Sequence, residues 1–162
     1  MSRNLQTINI NSLLKKVPIT TLIIYDNDSE KLRFINDVIR FSSTKKKQIV
    51  YVDTFSVFLR SEKKPEDMIV IFPNDVQLNS LFSIMMSFFK ESVVIIDSYP
   101  QIVNVYFGEE NKADRLFLYF VSKMRHIIHL LILVKVNSKD KLPAYPIFNK
   151  FLYDKCLICR SS

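Results

Sequence analysis

Thr20-Thr21-Leu22-Ile23-Ile24-Tyr25 runs straight into Asp26-Asn27-Asp28-Ser29-Glu30-Lys31. The first six residues are β-branched or apolar without alternation, as in a strand buried on both faces. The next four are turn and cap formers, and Asp28 or Ser29 is the expected N-cap of a following helix. That helix carries Phe34, Ile35, Val38 and Phe41 at helical spacing. Three more apolar runs repeat the pattern: Gln48–Asp53, Met68–Phe72 and Ser92–Asp97. Helices are expected over Val76–Lys90 and Lys112–His126, with further strands over Leu130–Val136 and 152–159. A short amphipathic turn, Ile10–Lys16, precedes Pro18, and a turn of helix is expected within Thr54–Lys64. Ser42–Lys47 and Asn104–Asn111 read as loops. Continuous apolar strands alternating with amphipathic helices predict an α/β fold, a mostly parallel sheet with helices on both faces. Residues 1–162 are expected to form one domain.

Composition bounds the function. Of 162 residues, 48% are hydrophobic and 24% charged, a balance that supplies a core and argues against disorder. No apolar run is long enough to span a membrane, and the first residues lack a signal-peptide core, so a cytoplasmic protein without membrane contact is expected. The net charge of +7 fits nucleic acid or an acidic protein surface as partner. Basic runs occur at Lys45-Lys46-Lys47, at Lys63-Lys64 and around Lys135, Lys139 and Lys141. The face of the Lys112–His126 helix carries Lys112, Arg115, Tyr119 and Lys123, where cations surround a ring able to stack on a base. Each basic run also fits plain solvation. Cys156 and Cys159 lie three apart on an expected strand, hence on opposite faces. They are expected to be small buried residues rather than a metal pair or a disulfide. His126 and His129 read as a helix end and a strand residue.

Only one glycine, Gly108, occurs in the chain. A loop that cradles phosphate needs several, because backbone N–H groups must approach the oxygens without Cβ atoms in the way. Three strands nevertheless end in carboxylates, Asp26, Asp53 and Asp97, at the sheet edge where ligands bind in open α/β folds. Clustered acids there suggest a cation or a hydrogen-bond network.

The order of these segments resembles the ATPase core of the RecA/RadA recombinase superfamily, in particular the small RadA and RadB paralogues of archaea. Asn11-Ser12-Leu13-Leu14 resembles the leucine pair before the family's glycine turn. Ile19–Tyr25 resembles the strand entering its phosphate loop, Ile49–Thr54 its second core strand, and Val93–Ser98 its Walker B strand. The 112–126 and 130–136 segments resemble the next unit, and Tyr153–Arg160 a later core strand. The resemblance implies a RecA-like three-layer core in shortened form. It also implies association with a RecA-family recombinase or paralogue, or with itself, and a role in DNA recombination or repair.

The departures from that pattern carry the functional expectation. Asp26-Asn27-Asp28-Ser29-Glu30-Lys31-Leu32 stands where the family has its phosphate loop, without glycine and without a hydroxyl after Lys31. A carboxylate ~4 Å from a phosphate charge repels it by ~1 kcal/mol even in water. Phe55 stands where the family places its water-activating glutamate, and the DNA-contacting loop is shortened to Asn137–Pro146. The expectation is a degenerate nucleotide site at Asp26, Asp28, Lys31, Asp53 and Asp97, with no catalytic residue, no cofactor and no metal. Lys45, Lys46, Lys47, Lys112, Arg115, Tyr119 and Lys123 are the expected nucleic-acid or partner surface. Two alternatives remain open: a receiver-like signalling module with Asp97 as phospho-acceptor, and a metal-dependent phosphohydrolase using Asp26, Asp28, Asp53 and Asp97.

Overall fold

The computed structural model describes residues 8–14, 17–54, 68–87, 92–137 and 152–159. These form helix α1 (Ile10–Leu13), strand β1 (Thr20–Tyr25), α2 (Asp28–Thr44), β2 (Ile49–Asp53) and β3 (Met68–Ile71). A 3-10 turn, Pro73–Asp75, leads to α3 (Leu78–Met85), β4 (Val93–Asp97), α4 (Tyr99–Val105), α5 (Glu110–Met124), β5 (His129–Lys135) and β6 (Lys155–Cys159). The expected turn of helix after Thr54, Phe55, Lys63-Lys64, residues 88–90, and Lys139, Lys141 and most of the Asn137–Pro146 loop lie outside the described residues; the helix expected over Val76–Lys90 is shorter, Leu78–Met85.

The strands form one six-stranded sheet in the order β3-β2-β4-β5-β1-β6. Every pairing is parallel. Side chains alternate between the two faces of a strand. Odd-numbered residues such as Ile23, Tyr51, Ile95 and Leu133 pack with Phe34, Ile35 and Val38 of α2 and with Leu13 of α1. Even-numbered ones such as Leu22, Val52, Ile96 and Ile132 pack under α3, α4 and α5, against Phe82, Ile102, Phe117 and Phe120. Edge-to-face contacts of Phe82 with Phe117 and Phe120, both at 6.2 Å between ring centroids, tie α3 to α5. The result is a sheet between two helical layers, as the uninterrupted apolar strands predict.

Four local expectations are corrected. Asn27, not Asp28 or Ser29, caps α2: its side chain accepts the Glu30 N–H at 3.1 Å. The segment expected as a loop from Ser42 is helical to Thr44, where the Ser42 and Thr44 hydroxyls turn back to donate to the carbonyls of Val38 and Phe41 and stay satisfied inside the helix. Helix α4 was not anticipated and takes in the start of the expected 104–111 loop; Pro100 is tolerated in its first turn, where no intrahelical N–H is needed. Only Cys159 of the two cysteines is buried. Cys156 is exposed, since β6 is an edge strand and covered on one face only.

Asp154 fastens β6 to its neighbours. Its carboxylate accepts the Thr20 N–H at 2.8 Å and the Arg125 guanidinium at 2.9 Å, and its own N–H donates to the Thr20 carbonyl. Partial burial alone would raise the carboxyl, but the Thr20 N–H and then Arg125 outweigh it and hold Asp154 below the usual aspartate range. A depressed folded value stabilises above the ordinary range and is lost as pH falls through it. Asp154→Asn should therefore lower urea stability at pH 7, and the gap from the parent chain should close as pH falls below about 4. Urea unfolding across that range checks both.

Candidate functional site

The β1–α2 junction is short. After Tyr25 only residues 26 and 27 intervene before α2 begins at Asp28. At the start of α2 Asn27 takes the Glu30 N–H with its side chain, and the Lys31 N–H makes the ordinary helical bond to the Asn27 carbonyl. Asp28 and Glu30 place negative charge on the positive end of the helix dipole. Asp28 is also paired with Lys135, at the end of β5, at 2.7 Å. Anion-binding helix starts offer bare N–H groups; this one is capped, acidic and part-shielded.

Lys31, one turn in, points down onto the sheet. The period of two along β1, β2 and β4 brings Tyr25, Tyr51, Asp53 and Asp97 to the α2 side at the carboxyl end of the strands. The Lys31 ammonium reaches across β5, which separates β1 from β4, and meets Asp97, the register partner of Leu133, at 3.0 Å and 3.3 Å from the two carboxylate oxygens. The Tyr51 hydroxyl donates to the same carboxylate. The Tyr25 ring lies beneath the ammonium, 5.6 Å from Nζ to ring centroid. Asp97 is 0% and Lys31 3% exposed.

Asp97 is also held through its backbone. Its carbonyl accepts from the Thr54 N–H at 2.9 Å and from the Thr54 hydroxyl at 2.6 Å, while that hydroxyl accepts the Ser98 N–H at 2.8 Å. Asp53 is its register partner on β2 and is buried as well. Burial pushes the Asp97 carboxyl up, the Lys31 charge and the Tyr51 hydroxyl pull it back, and burial prevails. Burial and then the Asp97 charge push both Tyr25 and Tyr51 far above the ordinary phenol range, so both hydroxyls stay protonated. The arrangement is a neutralised, water-poor ion pair with a phenol donor. It offers no nucleophile to solvent, and a phospho-acceptor carboxylate with no exposed surface cannot meet a phosphodonor.

Of the five residues expected at a nucleotide site, the structure joins Lys31, Asp53 and Asp97 and leaves Asp26 half-exposed and Asp28 on the surface with Lys135. The expected metal alternative therefore loses its ligand set: among the described residues no three of His, Cys, Asp or Glu converge on a point that could hold an ion. The basic residues do not make one surface. Lys45, Lys46 and Lys47 follow α2 on one side of the sheet, where Lys47 contacts His129 at 3.1 Å. Lys112, Arg115, Tyr119 and Lys123 lie on α5, on the other. A separate cleft of about 480 Å³ opens between the Pro73–Asp75 turn, the start of α3 and Lys112; no residue of the Lys31 cluster lines it. Tyr25, Tyr51, Thr54 and Asn27 were not singled out in the sequence. The signal was there for the tyrosines: two phenols at the carboxyl ends of otherwise aliphatic buried strands need polar partners.

No protein-family model and no curated protein sequence matches the chain. Among solved structures it is similar to the KaiC-like protein PH0186 from the hyperthermophilic archaeon Pyrococcus horikoshii OT3, with a TM-score of 0.60. The two are 16% identical, and the match covers 89% of this chain and 72% of that one. With the all-parallel sheet, this likeness shows that the chain has a RecA-like fold.

Removing one member of a buried pair leaves an uncompensated charge, at a cost of about 3–5 kcal/mol. Lys31→Met should destabilise the protein by that order at pH 7. Below the ordinary aspartate range Asp97 carries a proton in both the folded and unfolded chain, so the penalty should fade as pH falls. The double variant Lys31→Met/Asp97→Leu should recover most of the loss, as chemical denaturation of the four species will read.

Proposed function

We propose that this chain is a RecA-like domain without nucleotide turnover, acting as an accessory protein in DNA recombination or repair. Its partner is a RecA-family recombinase or one of its paralogues, or DNA. The observation that carries the first half is the Lys31–Asp97 pair. Lys31, in the segment that stands where the family has its phosphate loop, is held by a buried carboxylate, and that carboxylate, Asp97, closes the strand that resembles the family's Walker B strand. Phosphoryl transfer is almost wholly positioning and charge stabilisation, and the capped, acidic start of α2 supplies neither. The RecA-like fold and the net charge of +7 support the setting. An intact, well-packed sheet around a filled site fits a protein kept for what its surface binds.

Two measurements test the proposal. Calorimetry with magnesium ATP at millimolar concentration should give no saturable heat, and the protein should release no phosphate. Affinity capture from an extract of the protein's own cells, with nuclease added, should retain a RecA-family protein. Saturable ATP binding that Lys31→Met abolishes would contradict the first half, and capture of a sensor kinase alone the second.

A further inference from the structure

Helix α5 covers the sheet with Ala113, Phe117, Phe120, Val121 and Met124. Its opposite side is organised by charge. Lys112, Arg115, Tyr119 and Lys123 recur at three- and four-residue intervals, so they share one stripe about 16 Å long at 1.5 Å per residue. Tyr119 is 51% exposed, an unusual place for a ring on a helix whose other face buries two phenylalanines. The Lys123 ammonium stands 5.5 Å from its centroid. Lys112 is paired with Glu109 at 3.5 Å, whereas Arg115 and Lys123 have no acidic partner among the described residues. Asp114 faces away and accepts from the Tyr99 hydroxyl.

The turn that leads into α5 adds a second ring. Phe107 is 90% exposed, and the next residue, Gly108, has φ +88°. That left-handed backbone suits glycine and strains other residues, so the chain's sole glycine is placed where the turn holds an aromatic ring out in water.

We propose that this face of α5, together with Phe107, is a platform for single-stranded nucleic acid. Sequence-tolerant binding of single strands combines cations that follow the phosphates with rings on which bases stack. Arg115 and Lys123 lie one turn to either side of Tyr119, and Lys123 covers one face of the ring, so a base stacked on the other face has both cations within reach of its phosphates. A duplex hides its bases and could use only the charges. An acidic protein surface likewise would use the cations and leave both rings in water. The inference deepens the DNA arm of the accessory reading and rests on that reading for its setting in DNA repair.

Fluorescence anisotropy of a labelled oligothymidylate of about 12 nucleotides, within the site sizes of single-strand binders, tests it at low salt. Tyr119→Ala should weaken binding roughly 5- to 150-fold, as expected for one lost stacked base, and Tyr119→Phe should preserve it. Arg115→Gln and Lys123→Gln should each reduce the slope of log K against log salt by about 0.7. Lys46→Gln, on the other side of the sheet, should change neither the ring dependence nor the affinity ranking. Tyr119 is half-exposed, and a thermal melt will show that its variants remain folded. The assignment is overturned if no salt-sensitive binding occurs, if Tyr119→Ala binds like the parent chain, or if polyglutamate competes better than the oligonucleotide. Failure here with a recombinase still captured leaves the accessory reading standing on its protein partner; binding here without that capture removes the protein partner and leaves DNA as the ligand.

Discussion

A lysine ammonium and an aspartate carboxylate share a site from which water is nearly excluded, and the carboxyl edge of the sheet is arranged around that fact. Bringing two charges into such a place costs several kcal/mol per ion before attraction and hydrogen bonds repay it. Here the repayment is itemised by geometry: both carboxylate oxygens lie near Lys31, Tyr51 adds a donor, and the Tyr25 ring supports the cation. Thr54 holds the backbone of Asp97 from the neighbouring strand. The pair spans from α2 across β5 at the level of Leu133 to the end of β4. It therefore fixes the helix against the centre of the sheet at the edge where open α/β folds bind their ligands.

Occupation from within has consequences for chemistry. A phosphate site at a helix start depends on unused N–H groups and a cation free to meet the anion. In this chain Asn27 takes the Glu30 N–H, Asp28 and Glu30 oppose the anion, and Asp97 holds the cation. No one of these features would suffice alone, since lysines move and caps can be displaced. Together they make phosphate entry a competition against a buried ion pair.

The fold was largely legible in the sequence, because apolar runs such as Leu22–Tyr25 and Val93–Ile96 are long enough to be covered on both faces and leave little choice of sheet. What was not legible depends on reach and on which polar atom wins. Asp28, Ser29 and Asn27 all suit an N-cap, and only the backbone angle at Asn27 decides between them. Lys31 reads as a lone cation near the end of β1. Its partner is 66 residues away, and only the strand order and the alternation of side chains place Asp97 beneath it. Ser42 and Thr44 read as loop residues because their back-bonding to the helix leaves no mark in composition. The α5 stripe was visible as a spacing. That Tyr119 stays in water, and that Lys45–Lys47 lie on the far side of the sheet, needed the fold.

Nuclear magnetic resonance of the Lys31 side-chain ammonium tests the central claim most directly. A buried pair with Asp97 keeps its protons observable at neutral pH, protected from exchange, and unmoved when magnesium ATP is added. An ammonium that exchanges as fast as a surface lysine, or that shifts on addition of the nucleotide, would contradict it.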